Sequence, residues 1–171
     1  MSSLSTPMTP IAVGSADAAS QFSTFLGKVF EVGGVRYRLV KAAAAISAAA
    51  NKVLVTSISS HAAAWTVNTT TSANSALVAG VVPSGQLGSD GSTGLLSGDY
   101  FLIQVSGVAT PLCHTTAVAA STGLATSTTA GSADAVSGTF AATTPGAVFA
   151  VLLEATSGVD AVAAARLVGL D

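Results

Sequence analysis

The side chains that could perform chemistry are few, and the most suggestive are the neighbours Cys113 and His114. Nucleophilic catalysis needs a thiol or hydroxyl, a base and an orienting acid brought together in the fold. The chain has one further histidine base, His61. Because adjacent side chains on a strand point to opposite faces, the order Cys113-His114 argues against a catalytic dyad. We therefore predict a small buried thiol beside a loop or surface histidine.

Metal and cofactor sites lack their usual ligands. One cysteine and two histidines do not supply the four ligands of a structural zinc site. Asp90 is a solitary carboxylate in the glycine-rich segment 84–94, where calcium would need a cluster of oxygen ligands, so we predict a polar turn there. The same segment has no Gly-Lys-Ser or Gly-Lys-Thr ending, so it is not a phosphate loop. We predict no cofactor and no metal.

Paired carboxylates are the one catalytic arrangement that the sequence leaves open. Asp99, Glu154 and Asp160 could approach one another in the fold, as glycoside hydrolysis requires. Sugar-cleaving sites commonly use aromatic platforms as well, whereas Trp65 is the only tryptophan. An enzyme is accordingly the weakest alternative, and we predict a protein without catalytic activity.

The composition indicates a protein that works through its surface. Charged side chains make up 8% of the 171 residues, where a typical soluble domain has about 25%. Apolar residues make up 50% but aromatic ones only 5%, so the core must consist largely of small side chains. The surface is then mostly Ser, Thr, Ala and Gly, which lose their hydration easily against a partner protein.

The same composition bears on partners and location. The net charge of -2 gives no positive field for nucleic acid. The longest largely apolar stretch, residues 42–50, is about half the ~20 residues that a membrane span needs. The first seven residues have neither the basic nor the apolar region of a signal peptide. We expect a soluble protein made in the cytoplasm, with neither nucleic acid nor a membrane as its partner.

Residues 1–20 are predicted to form an extended N-terminal arm. They contain Pro7 and Pro10, carry only Asp17 as a charged side chain, and show no periodicity. Such a segment has no core of its own, and it either stays disordered or becomes ordered on a partner. The folded part is predicted to be a single β domain over residues 21–171.

The clearest local structure is a hairpin over residues 28–39. Gly33 and Gly34 supply a two-residue turn, which pairs Phe30 with Tyr37 on one face. Residues 42–51 are predicted to form a short helix or a tight loop, with neither favoured. Strands are predicted at 53–58, 65–70, 76–83 and 100–105, short edge strands within 119–145, and closing strands at 147–153 and 162–170. This pattern predicts an all-β fold, a small β-sandwich or barrel of short strands.

The charges are segregated along the chain. Residues 28–52 hold five cations against one carboxylate, and residues 90–171 hold six carboxylates against one cation. Opposed patches of this kind favour head-to-tail packing of identical subunits or docking on a charged shell. The alternative is that these charges only solvate a hairpin and some loops.

Four segments carry a resemblance to a known class of protein. The chain resembles the head decoration, or capsid cement, proteins of tailed bacteriophages over residues 22–170. The segments are 37–42, 77–83, 98–107 and 166–170. The resemblance implies a structural protein on the outer surface of the virion capsid, bridging major capsid protein subunits and contacting other copies of itself as trimers. It implies no active site.

Two further functions remain as alternatives. One is another virion component, a tail-tube or minor head protein, and the other is a carbohydrate-binding adhesion module. For the capsid role we predict partner contacts through the arm and the basic hairpin. The predicted contact residues are Pro7, Pro10, Phe22, Phe25, Arg36, Arg38 and Lys41.

Overall fold

The computed structural model describes residues 12–14, 22–56, 65–73, 75, 77–114, 118–136, 148–168 and 170. Their regular structure is almost entirely β, apart from one 3-10 turn at Ser23–Phe25, which confirms the predicted fold class. None of the helical structure in these ranges is long and apolar enough to cross a membrane. The strands are β1 Val29–Val32, β2 Val35–Ala42, β3 Val53–Thr56, β4 Thr66–Asn68, β5 Val78–Val81, β6 Tyr100–Gln104, β7 Val108–Ala109, β8 Leu112–Cys113, β9 Gly123–Thr126, β10 Ala133–Ala135, β11 Ala150–Leu152, β12 Ala161–Val162 and β13 Ala165–Leu167.

The hairpin of β1 and β2 has the predicted register. Phe30 pairs with Tyr37, and Val32 pairs with Val35 beside the turn. Gly33 and Gly34 have φ of 60° and 78°, the left-handed values that a two-residue turn of type I′ requires. The turn chemistry and the alternation of side chains therefore specify this part of the fold locally.

The first sheet closes into a five-stranded barrel. β2 pairs with β4 in parallel, and β4, β3, β5 and β6 follow in antiparallel order until β6 pairs back onto β2. β1 extends this sheet as an outer strand that pairs with β2. The barrel interior is filled by buried side chains such as Val40, Leu54, Val67, Phe101 and Ile103.

The second sheet has the order β12-β8-β10-β9-β11-β13-β7. β12 is the first strand in this order and β13 is the sixth, yet only Ala163 and Ala164 join them along the chain. That connection spans at most about 11 Å, so the sheet must curl strongly to bring β12 near β13. Short strands predicted within 119–145 are present as β9 and β10, but their predicted place at a sheet edge is wrong, because both lie inside this sheet. The strands predicted at 147–153 and 162–170 to close a single sheet include β11 and β13, which belong to this second sheet and not to the barrel.

The two sheets share a core. Val53 and Val81, on the outside of the barrel, pack with Leu124 and Phe149 of the second sheet. Hydrogen bonds also cross the boundary, including Val53 N–H to the Gly131 carbonyl at 2.8 Å. The barrel and the curled sheet therefore pack directly on one another.

Two segments outside the strands complete the fold. Residues 43–51 form bends and turns, so the loop alternative is the observed one. Of the predicted arm, residues 12–14 are described, and they lie extended on the barrel. Val13 and Tyr100 exchange backbone hydrogen bonds of 2.9 and 2.8 Å, and Ala12 is buried.

Candidate interaction surface

The β1–β2 hairpin is the most exposed apolar element among the described residues. Every residue of β1 is exposed, with Phe30 at 41% and Val32 at 67%. Since side chains alternate along a strand, Lys28, Phe30 and Val32 share one face with Tyr37 of β2. The hairpin thus presents an apolar stripe with a lysine at one end.

Within the part of the chain that the structure describes, no strand pairs with the edge of β1 that faces away from β2. The Leu39 N–H donates to the Lys28 carbonyl at 3.1 Å, and in an antiparallel pair such bonds recur at every second residue. Val29 and Glu31 therefore direct their N–H and C=O groups away from β2. β1 is the outermost strand of its sheet, so these groups form a short open strand edge.

The basic side chains near the hairpin lie over aromatic rings. The Lys28 ammonium is 4.9 Å from the centroid of the Phe25 ring, and the Lys41 ammonium is 5.5 Å from that of Tyr100. The Arg38 guanidinium lies 4.8 Å from the Trp65 ring. Its Nη1 also donates to the Leu170 carbonyl at 3.3 Å. These contacts hold the cations in place by attraction to the ring faces.

An open apolar groove borders the hairpin. It has a volume of about 440 Å³ and runs between Val32 and Tyr37 on one side and Val108 to Thr110 on the other. Val108 is 49% exposed. The groove therefore joins the barrel hairpin to β7 of the second sheet in one continuous apolar surface.

The other end of the same barrel face is covered by the chain itself. Leu39 and Tyr100 pack with Val13, Phe22 and Leu26. The rings of Phe22 and Tyr100 lie 6.4 Å apart. The N-terminal part of the described chain thus covers one end of this face, and the groove leaves the other end open.

The candidate catalytic carboxylates occupy structural positions. Asp99 is 1% exposed, and its carboxylate accepts hydrogen bonds from the Ser89 N–H, the Ser89 hydroxyl and the Leu96 N–H, at 3.1, 2.7 and 2.9 Å. Glu154 accepts from the Ala164 N–H at 2.8 Å. Asp160 lies 2.9 Å from the His114 ring nitrogen Nδ1. Each carboxylate therefore fixes a different piece of backbone or side chain.

The loop carboxylate Asp90 lies in the polar turn that the sequence predicts. Its Oδ1 accepts from the Ser92 N–H at 2.9 Å. This hydrogen bond lowers the pKa of Asp90. Across the described residues there is no group of three or more histidine, cysteine, aspartate or glutamate side chains that could hold a metal ion.

Cys113 is buried at the end of β8, and His114, which follows the strand, is partly exposed, in agreement with the predicted buried thiol beside a loop or surface histidine. The thiol Sγ lies 3.7 Å from the Pro111 carbonyl. Burial raises the pKa of Cys113 to about 11, and the charge of Asp134 adds to the effect. His61 lies outside the described residues.

We expect the native Cys113 thiol to react with iodoacetamide at least ~100-fold more slowly than the unfolded chain at pH 8, because the thiolate is the reactive form and burial suppresses it. Because the thiol ionises at a lower pH in the unfolded chain, the free energy of unfolding should also fall as the pH rises from 9.0 toward 11. Mass spectrometry of timed labelling with and without urea measures the ratio. Equal rates would contradict the buried position.

The structure brings five predicted contact residues into one region. Phe22, Phe25, Arg36, Arg38 and Lys41 all lie on the 3-10 turn, its flank or β2. Phe25 is exposed, whereas Phe22 is half-buried against the ring of Tyr100. Pro7 and Pro10 lie outside the described residues.

Four exposed apolar side chains on this surface were absent from the predicted set: Val29, Phe30, Val32 and Val108. The alternation of Phe30 and Val32 predicts one apolar face of the hairpin, but alternation alone does not separate a buried face from an exposed one. The sequence holds no signal that separates the two, because the exposure depends on what covers β1 in the assembled fold.

Comparison of this architecture with solved structures finds a similar fold. The crystal structure of the head fiber gp8.5 N base of bacteriophage phi29 matches with a TM-score of 0.51, and the match covers 77% of this chain and 92% of that one. The fold is similar to that of a phage head fiber base. The two sequences are 12% identical, so the likeness shows a shared fold alone. No protein-family model and no curated protein matches the sequence.

Proposed function

We propose that this chain is a structural protein of a phage virion that binds the outer surface of the capsid and stabilises it by bridging major capsid protein subunits. The observation that carries the proposal is the fold similarity to the phi29 head fiber base. The chain would be made in the host cytoplasm and act without catalysis. Its partners would be the major capsid protein and other copies of itself, as trimers.

The exposed surface supports this role. Protein interfaces are depleted of charge at their centre and often contain aromatic side chains. The surface of the 3-10 turn and the hairpin combines exposed Phe25, Phe30 and Val32 with an apolar groove, in a chain with 8% charged residues. Modest contacts of this kind become strong on a shell, because many equivalent sites and contacts among bound copies act together.

Binding to capsids tests the proposal. Expanded capsids of the phage that encodes this chain, prepared without it, are mixed with the purified protein, sedimented and heated. We expect saturable binding and a higher capsid melting temperature. Equal binding to unrelated shells, or no binding, would overturn the capsid role. Saturable binding without a change in melting temperature would favour an attached base, as in a head fiber, over a cement.

A truncated variant tests the arm in the same assay. Deleting residues 1–11 removes Pro7 and Pro10 but keeps the contacts of Ala12 and Val13 with the barrel. We expect the truncated domain to stay folded and to bind capsids more weakly. Unchanged binding would remove the arm from the proposal.

A further inference from the structure

We propose that two copies of this chain associate by packing residues 22–42 of one copy, which hold the 3-10 turn and the β1–β2 hairpin, against residues 153–164 of the other. This inference deepens the proposed function and rests on it for the high local concentration of copies. It identifies the self-contact by residue and gives the exposed hairpin a definite occupant.

The exposed large apolar side chains of the described residues are concentrated in these two segments. Seven of the eleven lie there, although the segments are a small part of the chain. Clusters of this kind on one surface mark interaction sites more often than scattered exposed residues do. They are Phe25 of the 3-10 turn, Val29, Phe30 and Val32 of β1, and Leu153, Val159 and Val162 of the second segment.

The two segments have opposite charge. Residues 22–42 hold four cations against Glu31, whereas residues 153–164 hold Glu154 and Asp160 and no cation. Glu154 and Asp160 are exposed, and each is held by one hydrogen bond, to the Ala164 N–H and to His114. A carboxylate accepts more than one hydrogen bond, so both can also meet Lys28 of a second copy.

Both segments also contain an outermost strand. β1 ends the first sheet and β12 ends the second in the strand order. Val162 of β12 is 51% exposed, and Asp160 precedes it in a turn with φ of 54° that directs the chain into β12. Backbone pairing across two such edges adds hydrogen bonds to the apolar and charged contacts.

A second copy is a better occupant of the hairpin than an unrelated protein, because the chain itself supplies the complementary surface. In the proposed contact, apolar side chains of one copy meet apolar side chains of the other copy, and cations of one meet carboxylates of the other. Like charge also disfavours the alternative of hairpin against hairpin, because two copies of a segment with four cations against one carboxylate would then meet.

Cross-linking of single-cysteine variants tests the contact. Val32→Cys and Val159→Cys change exposed side chains, and native Cys113 is buried and does not compete. We expect a short bis-maleimide to join the two variants when they are mixed, with little product from either alone. Leu77→Cys, also exposed but outside both segments, is the matched control. A mixed yield no higher than with this control, or a dominant product from Val32→Cys alone, would overturn the inference.

Sedimentation velocity provides a second measurement. We expect Val32→Asp or Val159→Asp to raise the dissociation constant at least about tenfold, because truncating a central interface contact commonly has this effect. Leu77→Asp should leave it unchanged. Loss of association in all three variants, or in none, would count against the proposed contact.

The capsid assay separates this inference from the proposed function. Specific cross-linking without capsid binding would leave the self-contact standing and remove the virion role. Capsid binding that is weakened by Val32→Asp, in a protein that stays monomeric at all concentrations, would assign the hairpin to the shell and overturn the self-contact.

Discussion

Replacing Asp99 with alanine is expected to lower the free energy of unfolding by about 3 kcal/mol, since it removes the acceptor of three hydrogen bonds at a buried site. The carboxylate holds Ser89 and the Leu96 N–H, so it organises the loop that precedes β6. The Ser89 side chain also lies close to Gly14, and Ala12 donates to the Leu87 carbonyl in the same loop. Loss of Asp99 should therefore loosen residues 12–14 as well.

Asp99→Asn is the matched control for this prediction. Oδ2 accepts from both backbone N–H groups, whereas Oδ1 contacts only the Ser89 hydroxyl. An asparagine can place its oxygen at the Oδ2 position and donate from its amide to the hydroxyl, which can rotate to accept. We expect a loss of about 1 kcal/mol or less. Urea denaturation measures both variants, and hydrogen exchange at Val13 reports the loosening. Equal losses would mean that the carboxylate charge, and not its geometry, is what the loop requires.

The sequence predicts the local parts of the fold well. The hairpin register follows from Gly33-Gly34 and from the alternation of apolar side chains, which involve residues close together in the chain. The strand at Tyr100–Gln104 is likewise visible as a run of apolar and aromatic residues. These elements need no information about the rest of the molecule.

The long-range parts of the fold are not predictable in the same way. β9 is buried along its whole length, yet its residues are Gly, Leu, Ala and Thr in a low-complexity tract that resembles a loop. A core of small side chains gives little hydrophobic alternation, so the period-2 signal is weak. The parallel pairing of β2 with β4 depends on how residues 43–65 return the chain, which turn signals do not specify.

The candidate surface likewise combines features that the sequence predicts with features that it does not. Its basic character is visible in the sequence, because four cations lie close together at 28–41. Its aromatic contacts are not, because Lys41 meets Tyr100 and Arg38 meets Trp65 only through the pairing of distant strands. The exposure of Phe30 and Val32 depends on what covers β1, which is a property of the assembled fold.

Replacing Gly27 with alanine is expected to destabilise the protein by about 3 kcal/mol, because two costs add. Gly27 has φ of 81°, a conformation that costs a residue with a Cβ about 1 kcal/mol or more. A Cβ there would also overlap Trp65 Cε2 and Nε1, and relieving such overpacking costs about 1–3 kcal/mol. Trp65 lies against Arg38 of β2, so its displacement would disturb the base of the hairpin.

Gly33→Ala separates the two costs. Gly33 has φ of 60° but no atom within 4 Å of its Cβ position, so we expect a loss of about 1 kcal/mol, from the backbone conformation alone. Trp65 is the only tryptophan, so its fluorescence reports the contact directly. Gly27→Ala should change the native emission spectrum, and Gly33→Ala should not. Trp65→Ala should cost less in the Gly27→Ala background than in the native protein, since it removes the clash. If the two glycine variants were equally stable and equally fluorescent, Gly27 would not be packed against Trp65, and the hairpin base would need a different support.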